Sequence, residues 1–257
     1  MTTDETLGTI AALWRYPVGS LQGESLAALD IAATGVVGDR AWAVTRADDD
    51  EAGVAARGRQ WHPLVRAAAR FLAPPRTGAP TPEVEIALPD GATIHGDAAD
   101  VDARLTAHMG HPVRLRLSET APREHRTGSE DRARRPYRAA PLHLITTASL
   151  ARLGDLHPEG VVDARRFRPN LVIDSGAAIG FIENDWIGRR LAIGPLTVAI
   201  SEPCARCALT TLPQAELPHD RQILRAVNGH NGGHFGVYAT VIEPGTAHLG
   251  DAVGFLA

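Results

Sequence analysis

Residues 202–211 read Glu202-Pro203-Cys204-Ala205-Arg206-Cys207-Ala208-Leu209-Thr210-Thr211 and hold both cysteines of the chain. The stretch follows an apolar run at 196–200 that reads as a strand, so two thiols and the arginine between them fall at a strand end. A free cysteine is most often a small buried hydrophobe. Two thiols three positions apart around a guanidinium describe instead a soft, electropositive ligand site.

The remaining composition sets the frame for that site. A chain of 257 residues, 44% hydrophobic and 22% charged, supports one large domain or two small ones with a sizeable core. Its 26 basic and 30 acidic residues leave a formal charge of −4, which gives no global electrostatic reason to bind nucleic acid or an anionic membrane. The first residues have neither a basic nor an apolar leader region, and no stretch approaches the ~18 apolar residues of a membrane span. The expectation is a cytoplasmic protein. In a reducing compartment a Cys-x-x-Cys pair reads as metal, redox or cofactor chemistry rather than as a disulfide framework.

Outward from the cysteines, short strands dominate. Runs at 9–16, 26–31, 40–45, 113–117, 142–145, 170–173, 191–200 and 235–242 are strand-like, with Gly194-Pro195 bending the 191–200 run. Val84, Ile86 and Leu88 alternate before the turn Pro89-Asp90-Gly91, which signals a hairpin returning at Thr93-Ile94. Helices are few: 101–109, one capped near Thr146 or Thr147 and stopped by Gly154, and one capped by Asp220 and ended by Gly229. Between 118 and 140 apolar residues almost vanish and charges of both signs crowd together, which reads as an exposed connector. The division is therefore a β-rich unit at 1–117, the connector at 118–140 and a second unit at 141–257. The fold class is mainly β with peripheral helices (α+β), a barrel or partly open sheet rather than a βαβ alternation.

Four segments together resemble the molybdenum cofactor sulfurase C-terminal (MOSC) domain family with its N-terminal β-barrel domain. They are Arg15-Tyr16-Pro17-Val18-Gly19-Ser20 with Gly38-Asp39-Arg40-Ala41-Trp42; Leu144-Ile145-Thr146-Thr147-Ala148-Ser149-Leu150; Arg166-Phe167-Arg168-Pro169-Asn170; and Cys204 to Thr211. The likeness spans nearly the whole chain and is strongest to the amidoxime-reducing and N-hydroxylaminopurine-detoxifying branches. It implies a MOSC-type β-barrel beside an N-terminal β-barrel-like domain, and a molybdenum-molybdopterin cofactor whose metal is bound by Cys207, with Cys204 a neighbour. It further implies an oxidoreductase that removes oxygen from N-hydroxylated small molecules. With no flavin or iron-sulfur motif in the chain, the electrons would come from a separate flavin or iron-sulfur reductase.

The residues are compatible with that cofactor. A dithiolene with a terminal phosphate calls for one soft donor and several fixed cations. Arg40, Arg168 and Arg206 can supply the cations, although each alone could be a surface ion pair. Ser20, Thr146, Thr147, Ser149 and Thr210 can meet phosphate or pterin edges, with helix capping the alternative for Thr146 and Thr147. Asn170 can face the pterin or close a turn. Proton donors are sought among Asp185, His230 and His234. Gly19, where relatives often carry lysine, and Pro213, where they often carry aspartate, depart from the pattern. Three other readings stay open: a sulfur carrier with a persulfide on Cys207 and Cys204 resolving it, a zinc site of Cys204, Cys207, His230 and His234, and, given the departures at Gly19 and Pro213, a biosynthetic enzyme using the scaffold for another reaction on an N–O bond.

Overall fold

The computed structural model describes residues 3–118 and 142–256; apart from Ser118, the charged connector lies outside the described residues. In chain order the first part forms β1 (Thr3–Arg15), β2 (Glu24–Leu26), β3 (Ala28–Ala32), β4 (Gly35–Val36), β5 (Trp42–Arg46), β6 (Ala68–Phe71), β7 (Val84–Ala87) and β8 (Thr93–His95). Helix α1 (Val101–Met109) and β9 (Val113–Leu117) complete it. The second part forms β10 (Leu142–Thr146), α2 (Thr147–Leu156), β11 (Leu171–Asp174), β12 (Arg190–Ile193) and β13 (Leu196–Ala205). It ends with α3 (Arg221–Asn231), β14 (His234–Glu243), β15 (Gly245–His248) and β16 (Ala252–Leu256).

Seven strands close a barrel in the lateral order β1, β16, β12, β13, β14, β10, β11, with β11 returning to β1. Neighbours are antiparallel except β10 and β11, which run parallel. Alternation decides what each strand buries: Leu142 and Leu144 join the interior cluster with Val198, Ile200, Val237 and Val253, while Ile145 faces the other side. There Ile145, Val172 and Phe235 are covered by α2 and α3 through Leu153, Ile223 and Val227. Phe167 stacks on Phe235 with centroids 3.8 Å apart.

A second core, built on Val18, Trp42, Val44, Trp61, Leu64, Ile86 and Leu105, fills the N-terminal unit. Its sheets are β5 with β9 and β6 with β7 and β8. Two junctions tie the units together. β3 pairs with β15, and Ala55 and Val65 pack against Leu209 and Leu212, just past the second cysteine. The boundary at 117 is crossed by pairing as well, because β1 belongs to the larger barrel.

Several local expectations change. Gly194-Pro195 does not bend one strand but turns the β12–β13 hairpin, in which Ile193 faces Leu196. The 26–31 run is divided between β2, which pairs with β1, and β3, which pairs with β15. Helix α2 continues through Gly154 to Leu156, a glycine inside a helix costing only about 1 kcal/mol relative to alanine. His157, at its C-cap, is anchored to Asp220 at 2.7 Å. Helix α3 runs past Gly229 and stops at Gly232, whose φ of 58° supplies the left-handed cap. Among the described residues no helix is long and apolar enough to cross a membrane.

Candidate functional site

The cysteine segment lies where β13 leaves the barrel. The β13–β14 ladder shifts register between Pro203 and Ala205, and Ala205 faces His234 as pairing ends. Cys204 is still in the strand and is fully buried, whereas Cys207, beyond it, is exposed. The backbone around Cys207 is pinned from both sides. The Arg206 amide donates to Gly233 O at 2.8 Å, and the Thr210 amide and hydroxyl both donate to Cys207 O, at 3.2 and 3.0 Å. The result is an accessible thiol on a fixed backbone.

Arg206 is held between the two cysteines. Its Nη1 donates to Cys204 Sγ at 2.8 Å and its Nη2 to Phe167 O at 2.8 Å, and the guanidinium carbon lies 5.5 Å from the Phe167 ring centroid. Its Nε is buried and has no hydrogen-bond partner among the described residues. Burial alone would push the Cys204 thiol up, but the Arg206 charge, His143 and Tyr238 outweigh it and bring the pKa down to about 6. In return Arg206 is held above its ordinary value, desolvation being outweighed by Cys204, Tyr238 and Cys207. His143 and Tyr238 face each other across β10 and β14 with ring centroids 5.7 Å apart. Gly236 permits this approach: a Cβ there would lie 2.6 Å from His143 Nε2 and 2.4 Å from Leu144 O.

The other two predicted arginines converge on Tyr16. The Arg168 guanidinium lies 4.1 Å and that of Arg40 5.4 Å from the Tyr16 ring centroid. Burial raises the phenol well above its ordinary pKa against the lowering effect of Arg168 and Arg40, and Tyr16 Oη donates to Pro169 O at 3.1 Å. Arg168 also donates to Leu21 O, and Arg40 pairs with Asp39. Among the described residues the non-glycine positions in the left-handed region are Ser20, Arg40, Asp50, Arg168 and Ala215. Three of these five are sequence-predicted site residues. Strain of about 1–3 kcal/mol per such position persists where surrounding structure enforces it, and it concentrates at functional sites.

The remaining candidates divide. Thr146 and Ser149 are fully buried and both donate to Glu183 Oε2, at 2.8 and 2.6 Å; Thr146 Oγ1 also caps α2 by accepting from the Ser149 amide. Their side chains are directed to protein partners, not to an open anion site. Thr147 bonds Asp174 and Ser175. Asn170 is buried between the His143 amide and Trp14 O, joining β10 to β1. Thr210 is buried and tied to Cys207 O. Ser20 accepts from the Ala55 amide and donates to Gly53 O, at the junction of the two units. Asp185 is placed elsewhere: it lines a hollow of about 400 Å3 with Thr6, Ser175, Arg189 and Phe255, to which the cysteine segment contributes nothing. His234 is half-buried at the start of β14, and His230 is exposed on α3. Among the described residues no three His, Cys, Asp or Glu side chains are grouped to hold a metal, so the Cys204, Cys207, His230 and His234 zinc set is not assembled.

Sequence reasoning missed Tyr16, His143 and Arg166. His143 is a polar residue inside the apolar run Leu142-His143-Leu144, and that interruption was a usable signal. Arg166 gave none. It is fully buried and donates to Val161, Thr210 and Pro218 carbonyls at 3.0, 3.3 and 2.9 Å, fastening the turn that follows Cys207.

Two family models match the chain. A family model described as MOSC domain matches residues 105–254, and one described as MOSC N-terminal beta barrel domain matches 7–113. Mitochondrial amidoxime-reducing component 1 of Homo sapiens is 27% identical over 98% of this chain and 84% of its own length, and the Mus musculus protein of the same name is 26% identical over 98% and 83%. Molybdenum cofactor sulfurase of Anopheles gambiae is 32% identical over 49% of this chain; the match spans only 17% of that protein's length.

Proposed function

The chain belongs to the MOSC family, and from that premise we propose that it holds a molybdenum-molybdopterin cofactor through Cys207 and reduces N-hydroxylated small molecules. Electrons come from a separate flavin or iron-sulfur reductase. One observation carries the reading: an exposed thiol stands beside a half-buried arginine whose Nε is buried and has no partner among the described residues. The donor set fits the group. Cys207 is the soft ligand, Arg206 offers a buried donor, and Arg40 and Arg168, on strained backbone around Tyr16, offer the fixed positive charge that a phosphate requires. When bound, the cofactor supplies two-electron exchange of an oxygen atom with the N–O bond of the substrate.

The chain's own residues do the rest. The hydrogen bonds from Thr210 and Arg206 fix the direction in which Cys207 presents its sulfur. Tyr16, buried and protonated, is a platform for the two guanidinium groups and not a base. His234 faces Ala205 across the ladder beside the cysteines and is the choice for proton delivery over Asp185, which lines the separate hollow.

A second reading is favoured by the same exposure of Cys207 and by the likeness to molybdenum cofactor sulfurase, namely a persulfide carried on that thiol. Cys204, buried and bonded to Arg206, is poorly placed to resolve it. Metal and pterin content of protein from a cofactor-producing host decides between them. Molybdenum and pterin in the native protein, with at least about tenfold loss in Cys207→Ser, is the expected result. Equal occupancy in the two proteins refutes the assignment, and cyanide-releasable sulfur without pterin establishes the carrier instead.

A further inference from the structure

The proposed cofactor reading uses Cys207 and Arg206 and leaves Cys204 without a task, yet Cys204 is the more elaborately built of the two thiols. It is 0% exposed and lies at the meeting point of three elements. Arg206, beyond the end of its own strand, donates to its sulfur at 2.8 Å. From β10 and β14, His143 and Tyr238 also act on it, both favouring its ionised form. His143 is itself set by two carbonyls, Arg168 O 3.4 Å from Nδ1 and Phe235 O 3.1 Å from Nε2. A small hydrophobe would need none of these partners.

The consequence falls on Arg206. A guanidinium presents its donors in a rigid planar fork, so fixing two of its nitrogens fixes the third. Nη1 is fixed by Cys204 Sγ and Nη2 by Phe167 O, and Nε, also buried, has no partner among the described residues. An unpaired buried donor on a charged group is costly and persists where a ligand completes it.

Resting on the cofactor reading above, we infer that Cys204 is a positioning residue: as a thiolate it anchors Arg206 and neutralises it, leaving the Nε–H as the donor for the group held at Cys207. The ion pair also explains how a guanidinium can be held here with no carboxylate bonded to it among the described residues, because an uncompensated buried charge is strongly destabilising. The lowered Cys204 pKa of about 6 agrees with the geometry.

The test separates this inference from the cofactor reading. In Cys207→Ser a single thiol remains, and its thiolate absorbance at 240 nm is followed from pH 4 to pH 10, with circular dichroism monitoring the fold. The expected midpoint is about 6, rising by about two pH units, a hundredfold in thiolate affinity for its proton, when Arg206→Gln is added. A midpoint at or above the ordinary cysteine value of about 8.5 with Arg206 intact overturns the inference; so does a midpoint that Arg206→Gln leaves in place. This measurement needs no cofactor and keeps Cys204 native. In protein with native Cys207, Cys204→Ala and Arg206→Gln should each speed pterin release about tenfold, and the double variant no more than either alone, as coupled partners require. Additive losses, or a Cys204→Ala protein that retains pterin as the native one does, count against it. Retention of molybdenum by Cys207→Ser would instead defeat the cofactor reading, whatever the titration shows.

Discussion

Two polar clusters lie at the C-terminal ends of β10 and β13, the strands on either side of β14, and they are finished in opposite ways. At the end of β10, Thr146 and, in the first turn of α2, Ser149 turn both hydroxyls inward to Glu183, and all three side chains are buried. Just past β13, an exposed Cys207 stands beside a buried nitrogen with no partner among the described residues, with Arg40 and Arg168 on left-handed backbone in the Tyr16 cluster. Hydroxyls and guanidinium groups suit an anion equally well as residue types. What distinguishes the site from the brace is access: Cys207 is open to solvent, whereas the Glu183 cluster is wholly buried, down to a Glu183 Oε1 that also has no hydrogen-bond partner among the described residues.

If the contrast holds, the first cluster governs stability and the second governs the ligand. The largest effect is expected from Cys207→Ser, which should lose molybdenum while changing unfolding free energy by no more than about 0.5 kcal/mol, as exposed substitutions do. Metal analysis beside calorimetry checks this, and a large fall in melting temperature would blur the distinction. Next comes Arg166→Leu, which strips three carbonyls of their donor behind the Cys207 turn and should cost about 3 kcal/mol in urea unfolding. Ser149→Ala should cost about 1–2 kcal/mol and leave cofactor content as it was; loss of cofactor would break the comparison outright.

The smallest effect is a pH slope. Burial raises the Glu183 carboxyl above its ordinary 4.5, against the lowering bonds from Ser149, its own backbone and Thr146. As pH rises past 4.5 the unfolded chain releases a proton that the folded chain still holds, so this group's contribution to stability falls until the folded carboxyl also ionises. Glu183→Gln should remove that decline, seen as urea midpoints compared at pH 4, 6 and 8. An unaltered slope would mean that Glu183 is charged in the folded protein and that the closed cluster is not neutral.

The fold was readable where alternation was strong. Val84, Ile86 and Leu88 gave their hairpin, and 113–117 its strand, because period-two burial leaves a direct trace in the sequence. Lateral order left no such trace. Nothing in residues 3–15 says that they pair with 171–174 and 252–256, since pairing partners depend on the whole chain. In the proposed site, Cys207 and the three arginines were singled out by residue type, spacing and the family resemblance. The hydroxyls of Thr146 and Ser149 misdirected the reading because their partner, Glu183, is more than thirty positions away and looks like an ordinary charged residue of a loop. Asp185 failed similarly: its neighbours are set by the turn it occupies, not by its distance along the chain from the cysteines.

The closure of the larger barrel by β1 has a consequence for how the protein is made. Thr9 pairs with Ala252 on one side and Asp174 on the other, so β1 leaves the ribosome more than two hundred residues ahead of a strand it needs before its seam can be sealed. At about 5–20 residues per second, translation leaves that strand with an open edge for roughly ten seconds or more. The N-terminal barrel has no such delay among its own strands, and its early completion would keep β1 tethered to a folded body until its partners arrive.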